Sequence, residues 1–147
     1  MSLDNSLPDT LFWRLYQGRS KGLLHWPDVD AFWEHLATKP EGWYVYDLES
    51  DPPESPARAT AFLDSLNTAQ ALVNQRRESS HSGAIYVDSA EAPAFIKIFD
   101  PTNMGTSCGG DHEMILPRYI FSKAKPDRKP EPAPPKKGFL GRLVLAR

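Results

Sequence analysis

Apolar side chains recur along the first four fifths of the chain at spacings that switch between helix and strand. Leu11, Phe12, Leu15 and Tyr16 fall at helical intervals over residues 8–17, behind Asp9 as a cap. Val29, Phe32, Trp33 and Leu36 repeat at i, i+3, i+4 and i+7, predicting a helix that starts after Pro27 with Asp28 as its cap and stops near Lys39-Pro40. The clearest stripe is Ala59, Phe62, Leu63, Leu66, Ala69, Leu72 and Val73. It predicts a third helix over about 56–78, with Ser55 as cap and Pro56 in the first turn.

Between and after these lie runs rich in aromatic and β-branched residues: Trp43 to Leu48, Ile85-Tyr86-Val87, Phe95 to Phe99 and Met114 to Ser122. The middle two read as a hairpin through residues 88–93. Pro117 places the last at an edge or a bulge. The order α-α-β-α-β-β-β predicts an α+β fold: a small antiparallel or mixed sheet of about four strands, packed with about three helices on one face. A disordered, proline-rich C-terminal tail is expected to follow.

The aromatic residues of the first half are dense, and most sit at the repeating positions that pack a core. Trp13 and Trp26 fit the stripes least and are expected to form an exposed contact patch. His25 and His35 read as ordinary polar positions.

Charge divides the chain. Residues 1–122 hold nine Lys and Arg against seventeen Asp and Glu, a net −8; residues 123–147 hold eight against two, a net +6. Such asymmetry points to a tail with its own partner. The expected organisation is one domain over 1–122, a basic proline-rich linker over 123–137 and a short docking segment over 138–147. The single cysteine excludes an internal disulfide and a multi-cysteine metal site, which favours a reducing compartment. No secretory leader and no apolar run near the ~20 residues of a bilayer span is visible. The cytoplasm is the expected location, with a peripheral place at the inner face of the membrane.

Reactive side chains and glycines concentrate between Asp100 and Glu113. Gly105-Thr106-Ser107-Cys108-Gly109 has the G-x-S-x-G form of a nucleophile elbow, but lacks the strand-turn-helix context that form needs. Cys108 and His112 offer a thiolate–imidazole pair, which Asp111 or Glu113 would orient, although such partners usually meet from distant parts of a fold. The same side chains would be an unusual metal set, so neither a metal nor another cofactor is expected. A ligand-binding loop built on Asn103, Gly105, Ser107, Cys108, Gly109, Gly110, Asp111 and His112 is favoured over turnover. Glycine backbone amides there are suited to a small anion.

The end of the chain carries the most direct functional signal. Five prolines among residues 125–137 cannot pack a core and suit an extended spacer. Beyond it, on a helix, Phe139, Leu140, Leu143 and Val144 share one face, while Lys136, Lys137, Arg142 and Arg147 reach water or lipid phosphates. A segment this short, with Gly138 and Gly141 in it, folds only when bound. Lys136-Lys137-Gly138-Phe139-Leu140-Gly141-Arg142-Leu143 resembles the C-terminal membrane-targeting helix of the MinD family of cell-division ATPases. It is also similar to the membrane-binding segment of the FtsY family of signal-recognition receptors.

The resemblance covers about eight residues and implies membrane docking by Phe139, Leu140, Leu143 and the flanking basic side chains. It implies no ATPase or GTPase activity, because the chain has no glycine–lysine phosphate loop. The expectation is therefore a non-enzymatic binding or adaptor protein whose C-terminal segment docks on a partner protein or an anionic membrane surface. The alternative is a small ligand-binding protein or enzyme centred on Cys108 and His112. Nucleic acid is disfavoured, since the body is acidic and the tail has one aromatic side chain for stacking.

Overall fold

A central strand buried on both faces organises the structure, a computed structural model that describes residues 7–102 and 115–129. Among these residues the elements run α1 Leu11–Gln17, β1 Lys21–Gly22, α2 Trp26–Thr38, β2 Tyr44–Asp47, α3 Ala59–Val73, β3 Ile85–Val87, β4 Phe95–Ile98 and β5 Tyr119–Ser122. The strands form one antiparallel sheet in the order β1-β3-β4-β5-β2. The fold is α+β, as the periodicity predicts, with one strand more than expected.

All four residues of β5 are buried, which requires cover on both faces of the sheet. Tyr119 and Phe121 point to one face, where Ile96 and Ile98 of β4 join Phe32 of α2 and Phe62 of α3 in the main core. Ile120 and Phe95 point to the other, where they meet Phe12, Trp13 and Tyr16 of α1 and Tyr46 of β2. The helices therefore do not share one face: α1 covers the side opposite α2 and α3. Its buried stripe is Phe12, Trp13 and Tyr16, while Leu11 and Leu15 stay 62% and 43% exposed. A seven-residue helix has two turns, too few for spacing alone to fix which face goes inward.

Local chemistry explains the other boundaries. Thr10, not Asp9, caps α1, its Oγ1 accepting the Trp13 N–H at 3.4 Å. The α2 stripe is as expected, with Pro27 in the first turn and His25 preceding it. The third helix begins at Ala59, the first residue of its stripe, with Arg58 rather than Ser55 before it. It starts later than the expected position near Pro56, because the Ala57 N–H donates to the Trp43 carbonyl at 2.8 Å and holds that segment extended beside β2. The final strand starts at Tyr119; Ile115–Pro117 lies outside it, and β5 runs through the sheet interior between β4 and β2. Pro117 is compatible with that place because it precedes the ladder.

The two-residue strand β1 has no predictive pattern. Gly22 lies opposite Tyr86, and a β-carbon at Gly22 would meet the Tyr86 ring at 3.0 Å. Without a β-carbon, the glycine is what lets this edge pair.

Candidate functional site

The expected linker does not begin at residue 123. Residues 123–129 run along the domain as an arm, and Pro126 is buried. The Trp13 indole donates to the Arg128 carbonyl at 3.0 Å, and the Lys129 N–H donates to the Tyr46 hydroxyl at 2.9 Å. Lys129 Nζ reaches the Leu48 carbonyl at 2.7 Å. Lys125 and Arg128 approach Glu54 and Asp51, each at 3.4 Å. These last pairs are exposed and add little; the buried proline and the bonds to Trp13 and Tyr46 hold the arm. The alternating charges that read as a solvated spacer are partners for acidic groups already on the domain.

The arm ends in a cleft of about 200 Å³ lined by Leu48, Phe99, Asp100, Leu116, Arg118 and Lys129. Ile115 also lines it, so the flanks of the 103–114 segment and the last described residue of the arm share one site. Arg118 organises the cleft. Its guanidinium forms two 3.2 Å bonds to the Asp47 carboxylate, lies 3.4 Å from Glu49 and covers the Tyr119 ring at 4.8 Å. The Asp47 bond raises its pKa above the ordinary arginine value. On the facing strand end, Asp100 accepts the Thr102 N–H at 2.9 Å and the Thr102 hydroxyl at 2.6 Å, fixing the turn that opens the long loop. Arg118 is thus already engaged by two carboxylates within the cleft.

The same α1-covered face of the sheet carries a second unusual group. Lys97 places Nζ 4.2 Å from the centre of the Tyr16 ring, and burial lowers its pKa. Burial also pushes the Tyr16 hydroxyl up to about 12. Both groups read as parts of the α1-facing core.

The ligand-loop candidates Asn103, Gly105, Ser107, Cys108, Gly109, Gly110, Asp111 and His112 lie outside the described residues. So do the docking candidates Lys136, Lys137, Phe139, Leu140, Arg142, Leu143, Val144 and Arg147. The expected exposed aromatic patch does not form: Trp13 is fully buried, and Trp26 packs against the main core, with its indole donating to the Ser79 carbonyl at 2.8 Å beneath Arg77. His25 and His35 line a larger cavity along α2 that periodicity gave no sign of. Among the described residues no group of three or more His, Cys, Asp or Glu side chains is placed to hold a metal ion. Among them, too, no helix is long and apolar enough to cross a membrane. Comparison with protein-family models, with curated proteins and with solved structures finds no match to this chain.

Proposed function

We propose that this protein is a cytoplasmic binding or adaptor protein that docks through residues 136–147 on an anionic membrane surface. The supporting observation is the arm. Its bonds to Trp13, Tyr46 and Leu48 fix Lys129 on the domain, so whatever follows departs from a defined point. The remaining eighteen residues carry Lys136, Lys137, Arg142 and Arg147 around the apolar set Phe139, Leu140, Leu143 and Val144. Each basic side chain near an anionic surface contributes about 1 kcal/mol, and the apolar side chains add interfacial burial. Together these suit reversible, peripheral attachment.

Co-sedimentation with phosphatidylserine-containing vesicles tests the proposal, comparing the full chain with one ending at Lys129. The full chain is expected to partition at least ~10-fold better, the worth of about 1.4 kcal/mol, and to prefer anionic over phosphatidylcholine vesicles. Equal partitioning of the two chains removes the membrane reading. A tail-dependent protein partner from a lysate, without vesicle binding, replaces the membrane by a protein groove.

A further inference from the structure

A groove follows the outer side of α2, apart from the Arg118 cleft and reaching Lys123 at the start of the arm. Its wide part, about 530 Å³, lies between β1 and the first turns of the helix. Leu24, Ala31 and Phe32 supply apolar wall, and Lys21, His25 and Asp28 the polar rim. A narrower part of about 200 Å³ continues towards Lys39, Trp43 and Lys123. The two are neighbours: His35 lines both, and Ala90 of the first precedes Glu91 of the second. A groove of this size and mixed lining is typical of small-molecule sites.

Three lysines line the groove. Arg14, Arg77, Arg118, Lys125 and Arg128 each approach a carboxylate within 4.0 Å. Among the described residues the groove lysines Lys21, Lys39 and Lys123 have no such partner, a state they share with Arg19, Arg58, Arg76, Lys97 and Lys129. Lys123 is held in place: Nζ lies 4.3 Å from the centre of the Trp43 ring and donates to the Glu41 carbonyl at 2.8 Å. Gly42 permits this with φ of 86°, and a β-carbon there would come within 3.3 Å of the ammonium. Burial and the nearby Lys39 charge both lower the Lys123 pKa. Two like charges line one small cavity, with Lys123 over the Trp43 ring, an arrangement that an anion would relieve.

We propose that the groove binds a small anionic amphiphile, with a carboxylate or phosphate head between Lys39 and Lys123 and an apolar chain running past His35 towards Phe32 and Leu24. The spacing suits a linear molecule, because α2 rises about 1.5 Å per residue and the stretch from Lys39 back to Asp28 spans roughly 16 Å. Glu91 and Asp28 flank the path and disfavour a second negative charge along the chain. The site uses no residue beyond 129 and is independent of membrane docking.

Titration calorimetry of the full chain with decanoate, decan-1-ol and inorganic phosphate tests the proposal, with amide and indole NMR shifts locating each ligand. Decanoate is expected to bind at least ~10-fold more tightly than decan-1-ol, the scale of one charged hydrogen bond, and to shift both ends of α2. Phosphate is expected to shift only the Lys39, Trp43 and Lys123 end. Lys39→Glu should weaken decanoate at least ~10-fold without affecting decan-1-ol. Ala31→Trp, at an exposed position of the helix, should weaken decanoate and leave the phosphate shifts in place. Absence of decanoate binding, equal affinity for acid and alcohol, or affinity indifferent to both substitutions overturns the proposal.

Discussion

Trp13 and Trp33 are the same side chain in almost the same degree of burial, 0% and 3% exposed, yet their indole nitrogens meet different fates. Trp13 donates to the Arg128 carbonyl, whereas Trp33 Nε1 is buried with no acceptor among the described residues. A buried unpaired donor costs about 1–3 kcal/mol, and a made bond contributes about 1 kcal/mol. Substitution by phenylalanine removes similar packing at each site. At Trp33 it also removes the unpaired donor, while at Trp13 it breaks a bond and orphans a carbonyl. Trp13→Phe is therefore expected to cost at least ~1 kcal/mol more than Trp33→Phe in urea unfolding; equal losses would mean the Arg128 bond contributes nothing. The bond was invisible in the sequence for a physical reason. Local periodicity reports spacing along one element, and Trp13 finds its acceptor 115 residues away. The same holds for Trp26, whose acceptor Ser79 and covering Arg77 follow α3.

Elements with long, regular stripes were legible: α2, the body of α3 and the β3–β4 hairpin follow from side-chain spacing. Elements defined by what they pair with were not. Strand β1 is two residues with no alternation, and α1 is too short for spacing to choose its face. The arm was hidden more deeply, because prolines and alternating charges have the composition of a spacer whether or not acidic partners are waiting. Of the candidate cleft, the sequence marked the long loop and the basic end of the chain, but could not bring Asp100, Arg118 and Lys129 together. If the arm is part of the fold, its removal must cost stability. A chain ending at Lys125 loses buried Pro126 and the bonds from Trp13 and to Tyr46, and is expected to be less stable by about 2–4 kcal/mol. A chain ending at Lys129 keeps all three and should unfold with the full-length protein. Urea titration of the three chains decides it; if the Lys125 chain matches the others, the arm lies on the domain without stabilising it.

At the scale of the whole molecule, moving the boundary to residue 129 redraws the charge division. Residues 1–129 carry thirteen basic against eighteen acidic side chains, a net −5, and residues 130–147 four against one, a net +3. An anionic surface thus attracts the end of the chain and repels the body that bears it. The two effects coexist only if they are separated by more than a Debye length, about 8 Å at physiological ionic strength. At the ~3.1 Å per residue of a polyproline chain, the six residues 130–135, Pro-Glu-Pro-Ala-Pro-Pro, would span about 19 Å, enough for that separation. Under the membrane-docking proposal, deleting these six residues brings the acidic body within the screening distance. Partitioning onto anionic vesicles should then fall several-fold at about 0.05 M salt, where the Debye length is longest. The deficit should shrink as salt rises towards ~0.5 M, even though binding as a whole weakens, because screening removes the repulsion along with the attraction. A glycine–serine spacer recovers part of the lost binding to the extent that it keeps the body away. If the shortened chain partitions as well as the full one at low salt, the body's charge is not felt at the surface, and the proline-rich stretch has no part in docking.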